Sequence, residues 1–304
     1  MKNKTLNRLK RVIFGSSALL LSLSLFSFTS KYSVKKDTIV NNNFKIKTII
    51  VDAGHGGKRT GAFGSYSVEK NVTLAIALKL QKAIEKGVNG VKVVMTRTTD
   101  DDIAFRSRAD IANSNHGNLF ISIHCNSLPD RRRTELVGYK RAKRGKKTPV
   151  YKTVSVPDRS GKGVLMLVYS TKRIGPQVEA LRENADLYEE KDYKDQYNGF
   201  DPEDPASVIL LDAFKNRYRK QSIHLANLIN NEFVQGDNRL SEGVREQVIF
   251  VLDHTAMPSV LVETGYINNA ADEAYLNSED GQNEIVDSIV RAINNYKKEV
   301  ETIN

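Results

Sequence analysis

Thr48-Ile49-Ile50-Val51-Asp52-Ala53-Gly54-His55-Gly56-Gly57 runs from apolar residues straight into glycines. A short, uninterrupted apolar run closed by glycines predicts a strand buried on both faces, followed by a tight loop. From Glu69 the pattern changes. Val72, Ile76, Leu80, Ala83 and Ile84 recur at helical spacing, and Gly87 marks the stop. The unit is strand, glycine-rich loop, helix. Further along, residues 91–96 predict a second strand, 105–112 a short helix and 119–123 a third strand, an alternation that predicts an α/β domain.

Residues 127–162 carry little apolar periodicity and read as a long surface insertion. Residues 164–169 predict another strand, and 177–191 an acidic, helix-like segment. Residues 193–205, with the pairs Asp201-Pro202 and Asp204-Pro205, interrupt regular structure. The longest predicted helix covers 206–233, with Leu210, Leu211, Phe214, Tyr218, Leu225, Leu228, Ile229 and Phe233 on one face. Residues 248–252 and 259–262 predict two more strands. Ile285, Ile289, Ile293 and Tyr296 mark a terminal amphipathic helix. There is no internal repeat.

The first eleven residues carry Lys2, Lys4, Arg8, Lys10 and Arg11 and no acid, and residues 12–28 are uncharged and largely apolar. That layout predicts a signal peptide or N-terminal anchor over 1–30, a linker over 31–44 and a folded domain over 45–300, with insertions at about 128–162 and 171–205. The protein is therefore expected to be exported, to the periplasm or cell envelope, with membrane contact only if the leader is uncleaved. A formal charge of +10 owes half its size to the five leader cations. The remainder is segregated: residues 131–152 hold ten Lys or Arg against Glu135 alone, and residues 179–204 hold ten acids against Arg182, Lys191 and Lys194. Export, and a basic run lacking a nucleic-acid motif, argue against a nucleic-acid partner. One cysteine, Cys125, excludes an intrachain disulfide.

His55 follows the first strand, His124 closes the third, and Glu263 ends the apolar run Val260-Leu261-Val262. All three belong to carboxyl ends, which form one edge of an open parallel sheet. Glu69 opens the helix after the glycine loop and can return to that edge. Two imidazoles and a carboxylate from three separate elements suit Zn²⁺, which keeps a fourth position for water. A carboxylate at the end of a buried strand is costly unless paired, liganded or used, which points to a working role for Glu263. His116 and His224 read as structural, and His254 as a minor candidate for the cleft. The segment Gly54-His55-Gly56-Gly57-Lys58 is not a phosphate-binding loop: Asp52 stands where that motif needs glycine, and Arg59 where it needs Ser or Thr.

Residues 50–57, then Glu69-Lys70-Asn71-Val72, Thr96-Arg97, Arg108-Ala109-Asp110, Ser122-Ile123-His124-Cys125-Asn126-Ser127 and Met257 through Tyr266 together resemble the zinc-dependent N-acetylmuramoyl-L-alanine amidases of bacterial cell-wall hydrolysis. The resemblance covers roughly residues 45–296. It implies a twisted, mostly parallel sheet of about six strands with helices on both faces, and makes 45–300 the catalytic domain. It also implies one zinc ion per chain on His55, Glu69 and His124, a metal-activated water as nucleophile, Glu263 as general base and acid, Asn126 near the substrate, and peptidoglycan as the polymer cut. Some members carry a helix that covers the zinc with a blocking carboxylate, for which Glu179, Glu183, Asp186, Glu189 and Glu190 are candidates here. Such members imply an activator protein as a further partner. The chain departs from the family pattern at Ala53, where proline is usual, and at Cys125, where alanine is usual. It departs again at Glu242-Gly243-Val244-Arg245, in place of an Arg-Gly pair at a turn. Adjacent residues of a strand point to opposite faces, which argues against Cys125 as an extra ligand. Two other functions share these residues: a zinc peptidase acting within stem peptides, and a wall-binding relative without catalysis.

Overall fold

The computed structural model describes residues 45–141, 146–170, 178–183 and 205–302. In chain order these form β1 (Thr48–Ala53), α1 (Glu69–Gly87), β2 (Lys92–Met95), α2 (Phe105–Ser114), β3 (Leu119–Asn126), β4 (Arg131–Arg141), β5 (Lys147–Val156) and β6 (Val164–Tyr169). Then come α3 (Val178–Glu183), α4 (Pro205–Asn231), β7 (Ser241–Gln247), α5 (Phe250–Asp253), β8 (Ser259–Tyr266), α6 (Ala270–Leu276) and α7 (Glu279–Thr302). The expected leader and linker, and most of the second insertion, lie outside the described residues. No helix among the described residues is long and apolar enough to cross a membrane.

Six strands make one sheet in the order β2-β1-β3-β8-β6-β7. The first four are mutually parallel; β6 runs antiparallel to β8 and parallel to β7, so the sheet is mixed. Alternation along the strands sorts their side chains onto two cores. Ile49, Val51, Ile121, Ile123, Val260 and Val262 face α1, α4 and α7, which answer with Val72, Ile76, Leu80, Leu225, Ile229, Ile285, Ile289 and Ile293. Ile50, Phe120, Leu165, Leu167 and Leu261 face α2 and α5 through Phe105, Ala112, Val251 and Leu252. The central strands β3 and β8 are buried along their whole length, which is why they read as apolar runs.

Three expectations need correction. The strand foreseen at 248–252 is instead the helical turn α5, and the strand lies just before it at β7. β7 is an edge strand whose buried residue is Gln247, so it lacks the apolar signature of the inner strands. The apolar residues after it serve the second core instead. Glu242 through Arg245 is part of β7 rather than a turn; Gly243, at φ 81°, accommodates a register shift opposite β6. Within the insertion at 127–162, β4 and β5 form an antiparallel pair separate from the main sheet. Their faces are exposed, so no apolar alternation marked them.

A buried polar knot ties the first three strands to α2. Asp52 accepts hydrogen bonds from Thr96 Oγ1 at 2.6 Å, Ser122 Oγ at 2.6 Å and Arg108 Nη1 at 2.7 Å. Burial disfavours the charged carboxyl, but the Arg108 guanidinium and these donors outweigh it and hold it below the usual carboxylate range. A depressed folded value means stability that is present above the ordinary pKa of 3.8 and lost as pH falls through the folded one. Asp52→Ala leaves the Arg108 charge buried without its partner, so it should cost about 3–5 kcal/mol. The exposed Asp110→Ala should cost under about 1 kcal/mol. Urea unfolding at neutral pH compares the two, and equal midpoints would overturn this account of the knot.

Candidate metal centre

The loop after β1 turns sharply because His55 takes φ 58° and Gly56 φ 125°. The left-handed region is strained for a histidine, so the surroundings must hold it there. Arg108 Nη2 donates to His55 O at 2.6 Å, while Arg97 donates through Nε to Ala53 O at 2.8 Å and through Nη2 to Gly54 O at 2.7 Å. The Thr96-Arg97 and Arg108 motifs are thus clamps on the backbone that presents His55. Gly54 is required for a different reason: a Cβ there would sit 2.4 Å from His124 Nε2, so the second imidazole lies flat against this backbone.

Glu69, at the first position of α1, is fixed through both oxygens. Its Oε2 accepts from Ala62 N at 2.8 Å, and its Oε1 accepts from Cys125 N at 2.9 Å. Oε1 also lies 3.2 Å from His55 Nε2 and 3.2 Å from His124 Nδ1. The two imidazoles meet edge to face, with centroids 4.8 Å apart. A fourth group completes the cluster: Glu183 Oε2, from α3, is 2.7 Å from His124 Nδ1 and 3.7 Å from His55 Nε2. One ligand atom from each of the four lies within 4.8 Å of all the others.

The electrostatics reflect this crowding. Burial opposes a charged Glu69, but His55 and His124 prevail and hold its carboxyl well below the ordinary range. Burial likewise opposes a protonated His124, yet the Glu183 and Glu69 carboxylates raise the ring well above its usual value. Glu183 is drawn down to about 2 against its burial, chiefly by His124 and Arg182. Such a cluster needs positive charge at its centre, supplied either by protons on the rings or by a cation. Donor atoms on a tetrahedral ion at about 2.0–2.2 Å are about 3.3–3.6 Å apart, and Glu69 Oε1 stands 3.2 Å from each imidazole donor, close to that separation. The donor set fits a divalent metal ion.

Glu263 pairs in register with His124 on the neighbouring strand and is fully buried. Burial pushes its carboxyl up to about 8, while Arg182 pulls it down and Glu183 pushes it up. Arg182 Nη2 lies 2.6 Å from Glu263 Oε1 and 2.7 Å from Glu183 Oε1, and Nη1 donates to Asn126 Oδ1. A cavity of about 420 Å³ opens here, walled by His55, Gly61, Glu69, Asn126, Leu128 and Pro129 and roofed by Glu179 and Arg182 of α3.

The structure gathers His55, Glu69 and His124 at one rim of the sheet, sets Glu263 on the strand beside His124, and places Asn126 in the cavity wall. Of the five acidic candidates it brings Glu183 into the cluster. Glu179 lines the cavity but bonds Arg245 and Gln247 rather than the imidazoles, and Asp186, Glu189 and Glu190 lie outside the described residues. Sequence reasoning did not single out Arg182, although a cation beside an acid in so acidic a segment was a usable signal. Cys125 is buried on the opposite side of β3 from His124; burial pushes its thiol well up, and it stays outside the cluster. His116, His224 and His254 stay outside as well.

A family model described as N-acetylmuramoyl-L-alanine amidase matches residues 49–295. The chain is 27% identical over 304 residues to the N-acetylmuramoyl-L-alanine amidase AmiA of Salmonella typhimurium, covering 96% of this chain and 93% of that one. It is 28% identical over 250 residues to AmiC of Escherichia coli, covering 82% of this chain; it spans about half the length of that relative, 52%. Among solved structures, the CwlD amidase of Clostridioides difficile, in complex with the GerS lipoprotein, superposes with a TM-score of 0.53 at 22% identity, covering 82% of this chain and 98% of that one.

Titrating chelator-stripped protein with zinc chloride should show one site per chain and a rise in thermal midpoint that grows with free metal. His124→Ala should lose that site and His254→Ala should keep it. Equal metal content in the two variants would mean that the cluster is not the centre.

Proposed function

The chain belongs to the N-acetylmuramoyl-L-alanine amidase family, and from that premise we propose that it is a zinc hydrolase cleaving the amide between N-acetylmuramic acid and L-alanine in peptidoglycan. The observation that carries this reading is the convergence of His55, Glu69 and His124 with Glu263 one strand away at a single rim. His55, Glu69 and His124 would hold the zinc, one ion per chain. Zinc in such a site supplies a Lewis acid that activates water and polarises the scissile carbonyl. Glu263 takes the proton of the attacking water and returns it to the leaving amine of L-alanine. Its raised affinity for protons, a consequence of burial, suits a group that must accept and release one near neutrality. Asn126 offers its side-chain amide to the substrate from the cavity wall.

The described arrangement is a resting one. Glu183 fills the place next to the imidazoles that a substrate or water would use, and Arg182 engages Glu263 and Asn126 together. One short helix therefore blocks ligand, base and substrate contact at once. Activity requires α3 to leave, and an activator protein that binds it would supply the difference in free energy between the two states. The basic and then apolar N-terminal sequence supports export, with this work done in the periplasm or cell envelope.

Glu263→Ala should keep one zinc per chain and lose peptide release from purified peptidoglycan by about 10²–10⁴-fold; retained release would remove Glu263 from the mechanism. Glu183→Ala should raise basal release severalfold without activator. A fall, with metal still bound, would instead make Glu183 a working ligand. Mass analysis of the fragments identifies the bond: free L-alanine amino termini are expected, and cuts inside stem peptides would mark a peptidase.

A further inference from the structure

Among the described residues β4 and β5 pair only with each other, through ten aligned pairs from Arg131↔Val156 to Arg141↔Lys147. At about 3.3 Å per residue the arm is about 30 Å long. Two-stranded hairpins are marginal unless something covers a face. This one leaves Leu136, Val137, Tyr139 and Tyr151 between 47% and 60% exposed.

Its root, by contrast, is built into the catalytic rim. Leu128 and Pro129, just before β4, line the metal cavity. Asn268 Nδ2 donates to Leu128 O at 3.0 Å and to Asp158 O at 2.9 Å, so one side chain clasps both legs. Asn269 Nδ2 adds a bond to Arg159 O at 2.9 Å. Gly161 lies against the Tyr266 ring, where a Cβ would come within 2.3 Å. The arm is therefore aimed from the end of β8, the strand that carries Glu263.

Its chemistry is specific. Within the described residues the arm carries Arg131, Arg132, Arg133, Lys140, Arg141, Lys147 and Lys152 against Glu135. Alternation on β5 places Ser155, Thr153, Tyr151, Pro149 and Lys147 on one face, with Arg132, Thr134, Leu136, Tyr139 and Arg141 opposite them. One face thus presents two tyrosines and a leucine bracketed by cations at both ends.

We infer that this arm is a docking rail for the polymer that extends beyond the scissile bond: aromatic and apolar groups for the faces of sugar rings, and arginine and lysine for the free carboxylates of stem peptides. The inference rests on the peptidoglycan reading. A strand leaving the cavity past Leu128 and Pro129 meets the arm first, which favours a linear polymer over a membrane surface. The cations also occupy both faces, with Arg131, Arg133 and Lys152 on the second, whereas a planar bilayer would engage one.

Two variants test the rail. One replaces residues 132–155 with a short glycine-rich turn; the other is the full-length Arg132→Ser, Tyr139→Ser, Arg141→Ser, Tyr151→Ser. Both are made in a Glu263→Ala background for binding, so that turnover cannot consume the ligand, and with Glu263 intact for kinetics. Co-sedimentation with intact sacculi should fall at least about tenfold in both, because a second contact along a polymer multiplies affinity. With thermal midpoints unchanged, the kcat/KM for a soluble monomeric muramoyl-peptide should stay within about twofold while that for sacculi falls. Unchanged sedimentation overturns the rail, and so does an equal loss on the monomer. Loss of binding to phosphatidylglycerol vesicles with sacculus binding intact overturns it in favour of a membrane contact. If neither the parent protein nor its Glu183→Ala form, which lacks the blocking carboxylate, cuts either substrate, the amidase reading fails, while the sedimentation comparison still decides the rail.

Discussion

The Asp52 carboxylate, buried where β1 runs out, is the constraint on which the centre depends. It holds Arg108, and Arg108 in turn holds the carbonyl of His55 in a backbone conformation that histidine does not adopt willingly. The same carboxylate bonds Ser122 on β3, two residues before His124. A single anion thereby sets the relative heights of both imidazole-bearing elements, and parallel pairing of β1 with β3 and β3 with β8 does the rest. Parallel register is what makes imidazoles 69 residues apart in sequence share a rim. An antiparallel neighbour would have delivered its strand end to the far edge.

That logic was legible from residues because the inner strands are covered on both sides. Thr48 through Val51, 119–123 and 259–262 read as strands through uniform apolarity, and His55, His124 and Glu263 were notable for standing at their ends. Legibility failed where burial is one-sided or absent. β7 is polar because it is an edge, so the apolar turn after it took its place in the reading. β4 and β5 have no buried face to impose a period of two. Glu183 could not be chosen among five acids, since all five share one segment without a decisive spacing and the selection depends on which helix end reaches the imidazoles.

The two residues that close the site illustrate how opposite charges side by side change the energetics of a blocking element. Inserting a lone carboxylate beside Glu69 and Glu263 would crowd three buried anions, and burial together with the Glu183 and Glu69 charges already pushes Glu263 up to about 8 even with Arg182 beside it. Arg182 accompanies Glu183 and bonds it, Glu263 and Asn126 together, so α3 adds one negative and one positive charge at the same moment. Its net contribution to the site is zero.

Under the proposed zinc-hydrolase reading, charge balance constrains how α3 would act as a switch. With the helix away, Glu69 and Glu263 match a dication; with the helix in place, three carboxylates match a dication and a guanidinium. With every carboxylate ionised and both imidazoles neutral, each state would carry no net charge, so neither would be favoured by a large uncompensated Coulomb energy in a low-dielectric site. What remains to decide between them is smaller: the desolvation of an ion pair against the hydrogen bonds it makes, and the anchoring of Glu179 on Arg245 and Gln247 of the edge strand β7. Terms of that size lie within reach of a protein partner binding one face of a helix. The Arg245 half of that anchor is 41% exposed on an edge strand, where a partner can touch it, whereas the Gln247 half is buried.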